Sequence, residues 1–364
     1  MLLKNTIKAN ELSQNTKKNM KQRVSSSVFM FLFLAFVFVI GVFADNTNNW
    51  SPFSSITTRT VFAWIYLVAF LPLIVICAKE IANIYYKFLI IPYLLILLNM
   101  LVLIYAPTLV YFLKYYGYIN IEVGTFYDSL TLTNIFAITL ACSIAFVVII
   151  NTILLFAYSS FTIKNFIIFN LLVGVLSGFY LGIFFFMFTR GFLTLLWIML
   201  IVFNSDIFAY LGGVLFGKHK MAPKISPKKT WEGFAVGQIM TIGLGLLILF
   251  GFSYIEHNPD VLKEIFGIQF QHGFTYFNDS QIANRSLWWF NIFIILTTLS
   301  LLSVFGDLSY SWFKRKYRIK DYGSIIPGHG GIIDRIDSHS VVISFFFVIS
   351  FFIALGAKTV VFFG

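Results

Sequence analysis

Nine apolar runs, each near the roughly 20 residues that cross a bilayer as a helix, leave this chain little choice of fold. They are Val28–Ala44, Thr60–Ala78, Phe88–Leu113, Thr133–Tyr158, Asn165–Thr189, Gly191–Leu211, Gly233–Ile255, Leu287–Phe305 and Ser340–Phe363. Composition agrees: 11% of the 364 residues are charged and 59% hydrophobic, against about 25% charged in a soluble domain. The expected fold is an all-α polytopic membrane protein of about nine transmembrane helices with a cytoplasm-facing polar site.

The runs divide the chain into a basic N-terminal tail (1–27), a first helical block (28–211), a basic loop (212–232) and a second block (233–363). The second block carries an outer loop (256–286) and a polar stretch (303–338). Val42-Phe-Ala44 faintly resembles a signal-peptidase site, but more spans follow, so Val28–Ala44 reads as an uncleaved first helix. The break at Thr189-Arg190-Gly191 makes the fifth and sixth spans a tight hairpin, and Phe88–Leu113 can bend at Pro92 or Pro107.

Lys and Arg set the orientation. With the N-terminus in the cytoplasm and strict alternation, 20 of the 26 basic residues face the cytoplasm. The other six are Arg59, Lys114, Arg190, Lys263, Arg285 and Lys358. An odd number of spans leaves the C-terminus outside, in a multi-pass cell-membrane protein. Cys77 and Cys142 both sit in apolar runs and read as small buried hydrophobes; two such cysteines exclude a disulfide framework and a thiolate metal site. The outer loop reads as solvated, its His257 and His272 lacking ligand spacing.

Four polar features interrupt the oil. Gly212 to Lys218 has P-loop spacing, but His219 replaces the metal-binding hydroxyl and a membrane helix stands where a strand is required, so a P-loop is excluded. The rest of that loop, Ser226-Pro-Lys-Lys-Thr-Trp-Glu-Gly233, reads in two ways. Ser226 can cap a helix begun by Pro227, with Lys228, Lys229 and Thr230 turned toward an anion, or the lysines simply anchor the next span. Asp206 lies inside an apolar helix, where a carboxylate normally faces a polar cavity and a partner. Glu80 falls at an expected helix end, from which it can snorkel.

The fourth feature is the stretch Ser303–Asp337, which holds four of the 15 acidic and six of the 26 basic residues. Asp307 closes one span, and Asp334 and Asp337, three apart on one helical face, open the next. Three carboxylates at two helix ends form a hard oxygen site suited to Mg²⁺ with substrate phosphates as further ligands. Between them lie Lys314, Arg315, Lys316, Arg318 and Lys320, then Pro327-Gly-His-Gly-Gly331. Its glycines let backbone N–H groups approach oxyanions, and His329 can donate to a phosphate.

Ser311-x-Phe-Lys-Arg-x4-Lys-Asp-x-Gly-x2-Ile-Pro-Gly-His-Gly-Gly-Ile-x-Asp-Arg-Ile-Asp337 resembles the signature of the CDP-diacylglycerol synthases (phosphatidate cytidylyltransferases). Ser205-Asp206, Phe216-Gly-Lys-His-Lys220 and Ser226–Gly233 resemble that family's second block; Gly306-Asp307 and Lys21-Gln-Arg-Val24 resemble its bacterial branch. The resemblance implies the reaction of CTP with phosphatidate to give CDP-diacylglycerol and pyrophosphate. It implies Mg²⁺, with K⁺ as a candidate second cation, and metal-ligating aspartates at Asp307 and Asp334. It also implies a funnel open to the cytosol and to lipid.

On this reading Asp307 and Asp334 hold metal, Asp337 holds metal or supports a ligand, and Lys320 and His329 meet phosphates. Ser226, Lys228, Lys229 and Thr230 hold the triphosphate. Asp206, Lys314, Arg315, Gly330 and Gly331 complete the substrate contacts, and Arg335 pairs with Asp321 or the lipid phosphate. The partners are CTP, phosphatidate and membrane lipid, with no nucleic acid and a homodimer as candidate assembly. Two alternatives remain: a related CTP-using lipid kinase or nucleotidyltransferase, and an anion transporter.

Overall fold

A computed structural model describes residues 32, 35–37, 39–41, 44, 56–86, 89–115, 132–157, 162–189, 192–257, 285–326 and 330–356. The tail 1–27, most of the first apolar run, most of the loop 256–286 and residues 327–329, His329 among them, lie outside the described residues. The helices are α1 (Ile56–Ala69), α2 (Leu71–Tyr86), α3 (Ile90–Tyr115), α4 (Leu132–Ala157), α5 (Ile163–Thr189), α6 (Phe192–Phe216), α7 (Trp231–His257), α8 (Arg285–Lys316) and α9 (Ile333–Gly356). A two-stranded antiparallel hairpin, β1 (Lys220–Ala222) and β2 (Ser226–Thr230), joins α6 to α7. Among the described residues eight segments are long and apolar enough to cross a membrane. They correspond to eight of the nine expected runs, α1 and α2 together forming Thr60–Tyr85 with an interruption at Phe70, just before Pro72.

The spans are where apolar length puts them, but four of their ends differ. α8 continues to Lys316, so Asp307 lies within a helix rather than closing one, and α6 continues to Phe216. α2 runs to Tyr86, which places Glu80 inside the helix, and α9 starts at Ile333, ahead of the expected Ser340. In α2, α8 and α9 an apolar run stops at its first polar residues, whereas the helix continues where those residues find partners inside the protein; α6 instead continues through Gly212-Gly-Val-Leu-Phe216.

Packing follows the rules of a medium without a hydrophobic drive between helices: small residues and interhelical hydrogen bonds bring helices together. α3 packs on α2, α4 and α5, and α7 and α8 pack on α6 and on each other. α9 joins the two groups by lying against both α5 and α8. The α5 and α9 spans are the most enclosed, each 56% buried, while α4 is peripheral at 22%. Gly182 on α5 meets α9 so closely that a Cβ would lie 2.7 Å from Ile343 Cγ2. Phe186 stacks on Phe346 across the same seam. Asn99 donates to Asn151 Oδ1 at 2.6 Å, and Asn151 donates to Asn170, tying α3, α4 and α5. Cys77 is buried as expected; Cys142 is on the exposed face of the lipid-facing α4, a correction explained by that helix's peripheral place.

Gly182→Ala is expected to lower stability by about 1–3 kcal/mol, the usual cost of overpacking, seen as a lower unfolding midpoint in detergent. Adding Ile343→Ala, which removes the struck methyl, should recover part of the loss.

Candidate active site

α6 and α7 approach through small residues. A Cβ on Gly233 would lie 2.5 Å from the Ala209 carbonyl oxygen, and one on Gly237 2.9 Å from Ala209 Cβ. Two antiparallel helices this close are bridged by a short hairpin, with Lys220 opposite Thr230 and Ala222 opposite Ser226. Ser226 and Pro227 are therefore strand residues, correcting the expected Ser226 cap. Thr230 caps α7 instead, its hydroxyl accepting the Gly233 N–H at 3.2 Å. Glu232 accepts the N–H groups of Lys218 and His219 and pairs with His219 Nδ1 at 2.5 Å, which fastens β1 to α7. Arg315, expected to meet substrate, donates to the Ile225 carbonyl at 3.2 Å and docks the hairpin on the end of α8.

Strand alternation separates the two adjacent lysines. Lys228 is exposed, whereas Lys229 turns inward and pairs with Asp307 Oδ2 at 2.7 Å. The other Asp307 oxygen accepts from Ser311 at 3.2 Å. Asp206 on α6 reaches two helices, Oδ1 accepting from Ser303 (3.3 Å) on α8 and Ser338 (3.5 Å) on α9. Asp337 on α9 accepts the Ser338 N–H at 2.8 Å and lies within electrostatic reach of Asp307, Asp206 and Lys314. α8 and α9 can come this close because residue 306 is glycine: a Cβ there would lie 3.1 Å from Ser338 Cα and 3.3 Å from the Asp337 carbonyl oxygen. Three acids from three helices thus lie within electrostatic reach of one another, with Lys229 ion-paired to Asp307.

Asp334 is arranged otherwise. Oδ1 pairs with Lys314 at 3.0 Å, and Oδ2 accepts the N–H groups of Tyr322 (2.8 Å) and Gly331 (2.9 Å). The expected metal ligand and the expected substrate lysine therefore neutralise each other while shaping the loop. Among the described residues no three His, Cys, Asp or Glu side chains are grouped to hold a metal ion. The expected trio Asp307, Asp334 and Asp337 is not assembled as one cage, because the lysines reach two of its members first.

The loop itself is tightly specified. α8 ends with the Ile319 N–H donating to the Lys314 carbonyl at 3.0 Å and Arg318 at φ 55°, a Schellman-type stop made without glycine. Tyr322 stacks on Phe313, and burial pushes its hydroxyl far above the usual range. The Ile326 N–H donates to the Gly330 carbonyl at 3.0 Å, closing the segment that contains Pro327, Gly328 and His329. Gly330 has φ +89°, and a Cβ there would lie 2.9 Å from Asp334 Oδ2. Lys320, Asp321 and Arg335 are exposed at this end of the bundle. Glu80, which neither snorkels nor sits at a helix end, is 1% exposed and accepts the N–H groups of Ile332 (2.9 Å) and Ile333 (3.0 Å). The one sequence signal for that role was a carboxylate next to an apolar run.

The model of the cytidylyltransferase family matches residues 53–353. The chain belongs to the cytidylyltransferase family. Among relatives, phosphatidate cytidylyltransferase of Rickettsia bellii is 42% identical over 138 residues, 38% of this chain and 49% of the relative. The protein of that name from Haemophilus influenzae is 36% identical over 165 residues, 45% of this chain and 48% of the relative. That from Rickettsia typhi is 39% identical over 153 residues, 42% and 56% respectively. The chain thus spans about half the length of the curated relatives it matches. The hairpin and α8 lie inside the family match, as does α9 up to residue 353.

The two ion pairs should differ in weight. Lys314 and Asp334 side chains are 17% and 6% exposed, Lys229 and Asp307 22% and 30%. Lys314→Met is expected to cost about 3–5 kcal/mol, as breaking a buried pair does, and Lys229→Met under about 1 kcal/mol. Thermal unfolding of both variants in detergent checks the order.

Proposed function

We propose that this protein transfers the cytidylyl group of CTP to the phosphate of phosphatidate, giving CDP-diacylglycerol and pyrophosphate. The observation that carries the reading is the meeting of Asp206, Asp307 and Asp337 from three membrane helices beside a lysine-bearing hairpin. The family match and the names of the relatives support it. A bilayer enzyme joining two anionic phosphates needs this pairing of acids for cations with bases for phosphates.

In the proposed step a phosphatidate oxygen forms a bond to the α-phosphorus of CTP as the α–β bridging bond breaks, and pyrophosphate leaves. A phosphate monoester with a second pKa of about 6 is already largely ionised near neutrality, so the chain need supply no strong base. Its work is positioning and charge. Exposed Lys228, with Lys218, Lys220 and Lys224 on the same hairpin, would hold the triphosphate. Lys320 and the Gly330 loop would meet the phosphates, and His329, outside the described residues, keeps its expected role as a phosphate donor.

The acids fit a hard divalent cation: their donors are oxygens, and Lys229 offsets only part of their charge. Asp307 and Asp337 are the ligands this geometry favours for Mg²⁺, with Asp206 beside them; Asp334 would join at the expense of Lys314. A bound cation would offset repulsion between the two phosphates, and K⁺ is the candidate for a second one. The excess of Lys and Arg at this end supports a cytoplasmic orientation for it.

Radiolabelled CTP and phosphatidate with purified protein and Mg²⁺ should yield labelled CDP-diacylglycerol. Phosphorylated lipid with CDP would indicate a kinase; labelled CTP accumulating in vesicles without product would indicate a transporter. Asp337→Asn is expected to lower kcat at least about 100-fold in protein that still inserts. Lys228→Ala is expected to raise KM for CTP about five- to tenfold, the worth of one exposed charge-assisted contact, with kcat little changed.

A further inference from the structure

Glu80 belongs to α2, which packs on α3 and carries none of Asp206, Asp307 and Asp337. Its side chain is buried, and both oxygens are committed to consecutive backbone N–H groups, Ile332 at 2.9 Å and Ile333 at 3.0 Å. Ile333 is the first residue of α9 and Ile332 immediately precedes it, so these are N–H groups at the helix start that lack partners within the helix. Caps normally come from within a few residues; this one comes from 252 residues away. Two glycines make room for it. A Cβ on Gly323 or on Gly331 would lie 2.5 Å from Glu80 Oε1. The loop before α9 is thus wrapped around one carboxylate, with backbone on two sides and the helix start on a third.

We propose that Glu80 is a positioning residue for the cytidylyl transfer: it sets the start of α9, and with it the place of Asp337 against Asp307. This rests on the proposed function above. The chemistry explains why the residue must be an anion of this length. Two converging N–H donors and the positive end of a helix favour a carboxylate with two acceptors. Gln keeps one acceptor but turns an NH₂ donor toward the other N–H. Asp keeps both acceptors but shortens the reach by one methylene. Glu80 does not touch the reacting atoms in this reading, because the loop and the helix start lie between it and those three acids.

The test uses the full chain in detergent. Hydrogen exchange, read without substrate, follows the amides of residues 321–333; steady-state kinetics follow kcat and KM for CTP. Glu80→Gln is expected to speed exchange at Ile332 and Ile333 at least tenfold, leaving α3 and α5 unchanged. kcat should fall about tenfold or more, and KM for CTP should change several-fold less than kcat, because the hairpin lysines keep their hold on the triphosphate. Gly323→Ala, whose Cβ displaces the same carboxylate, should reproduce both effects, and it decides the matter if Glu80→Gln fails to fold. Unchanged exchange in folded protein overturns the proposal, and so does a loss of activity that tracks only the loss of folded protein. Failure of the wild-type protein to make CDP-diacylglycerol would overturn the proposed reaction alone, since the exchange measurement needs no turnover.

Discussion

A charge inside a bilayer must be met by the protein itself, because no water is there to meet it. Five acids at this end of the bundle meet that demand in different ways. Glu80 takes two backbone N–H groups, Asp334 takes two more and a lysine, and Asp307 takes Lys229 and a serine hydroxyl. Asp206 and Asp337 have weaker partners: two long hydroxyl contacts for one, the next residue's N–H for the other. The acids thus differ in how fully their oxygens are occupied, Glu80 and Asp334 most and Asp206 and Asp337 least.

Backbone donors can serve acids only where backbones come close, so glycines recur at every junction of this end. Gly306 lets α8 and α9 touch beside Asp307, Gly330 passes over Asp334, and Gly323 and Gly331 surround Glu80. The Ala209–Gly233–Gly237 contact brings α6 against α7 and obliges the connecting chain to turn back as a hairpin. From that hairpin one lysine pairs with Asp307 while its neighbour is exposed, so consecutive residues carry an internal counter-charge and a free external charge. Helix packing, loop shape and charge distribution are therefore one problem with one solution.

Much of this was legible in the chain alone. Apolar length marks eight of the crossings described here, and the basic loops assigned to one side do meet at one end, through Lys229 with Asp307 and Arg315 with Ile225. The signature around Asp334 and Asp337 pointed to the family that the match confirms. Helix ends were misread because a polar residue looks like the end of a span until its partner is known. Ser226 looked like a cap for a similar reason: Thr230 is equally suited, and only the strand pairing chooses between them.

What sequence by itself determined was the class of protein, its crossings, its charge asymmetry and the residue types able to carry the chemistry, since these depend on local composition and spacing. What only the tertiary structure decided was the job of each acid. Asp307, Asp334, Asp337 and Glu80 are alike as carboxylates. They differ in which distant N–H, hydroxyl or lysine folds against them, and partners up to 253 residues away leave no mark on local spacing.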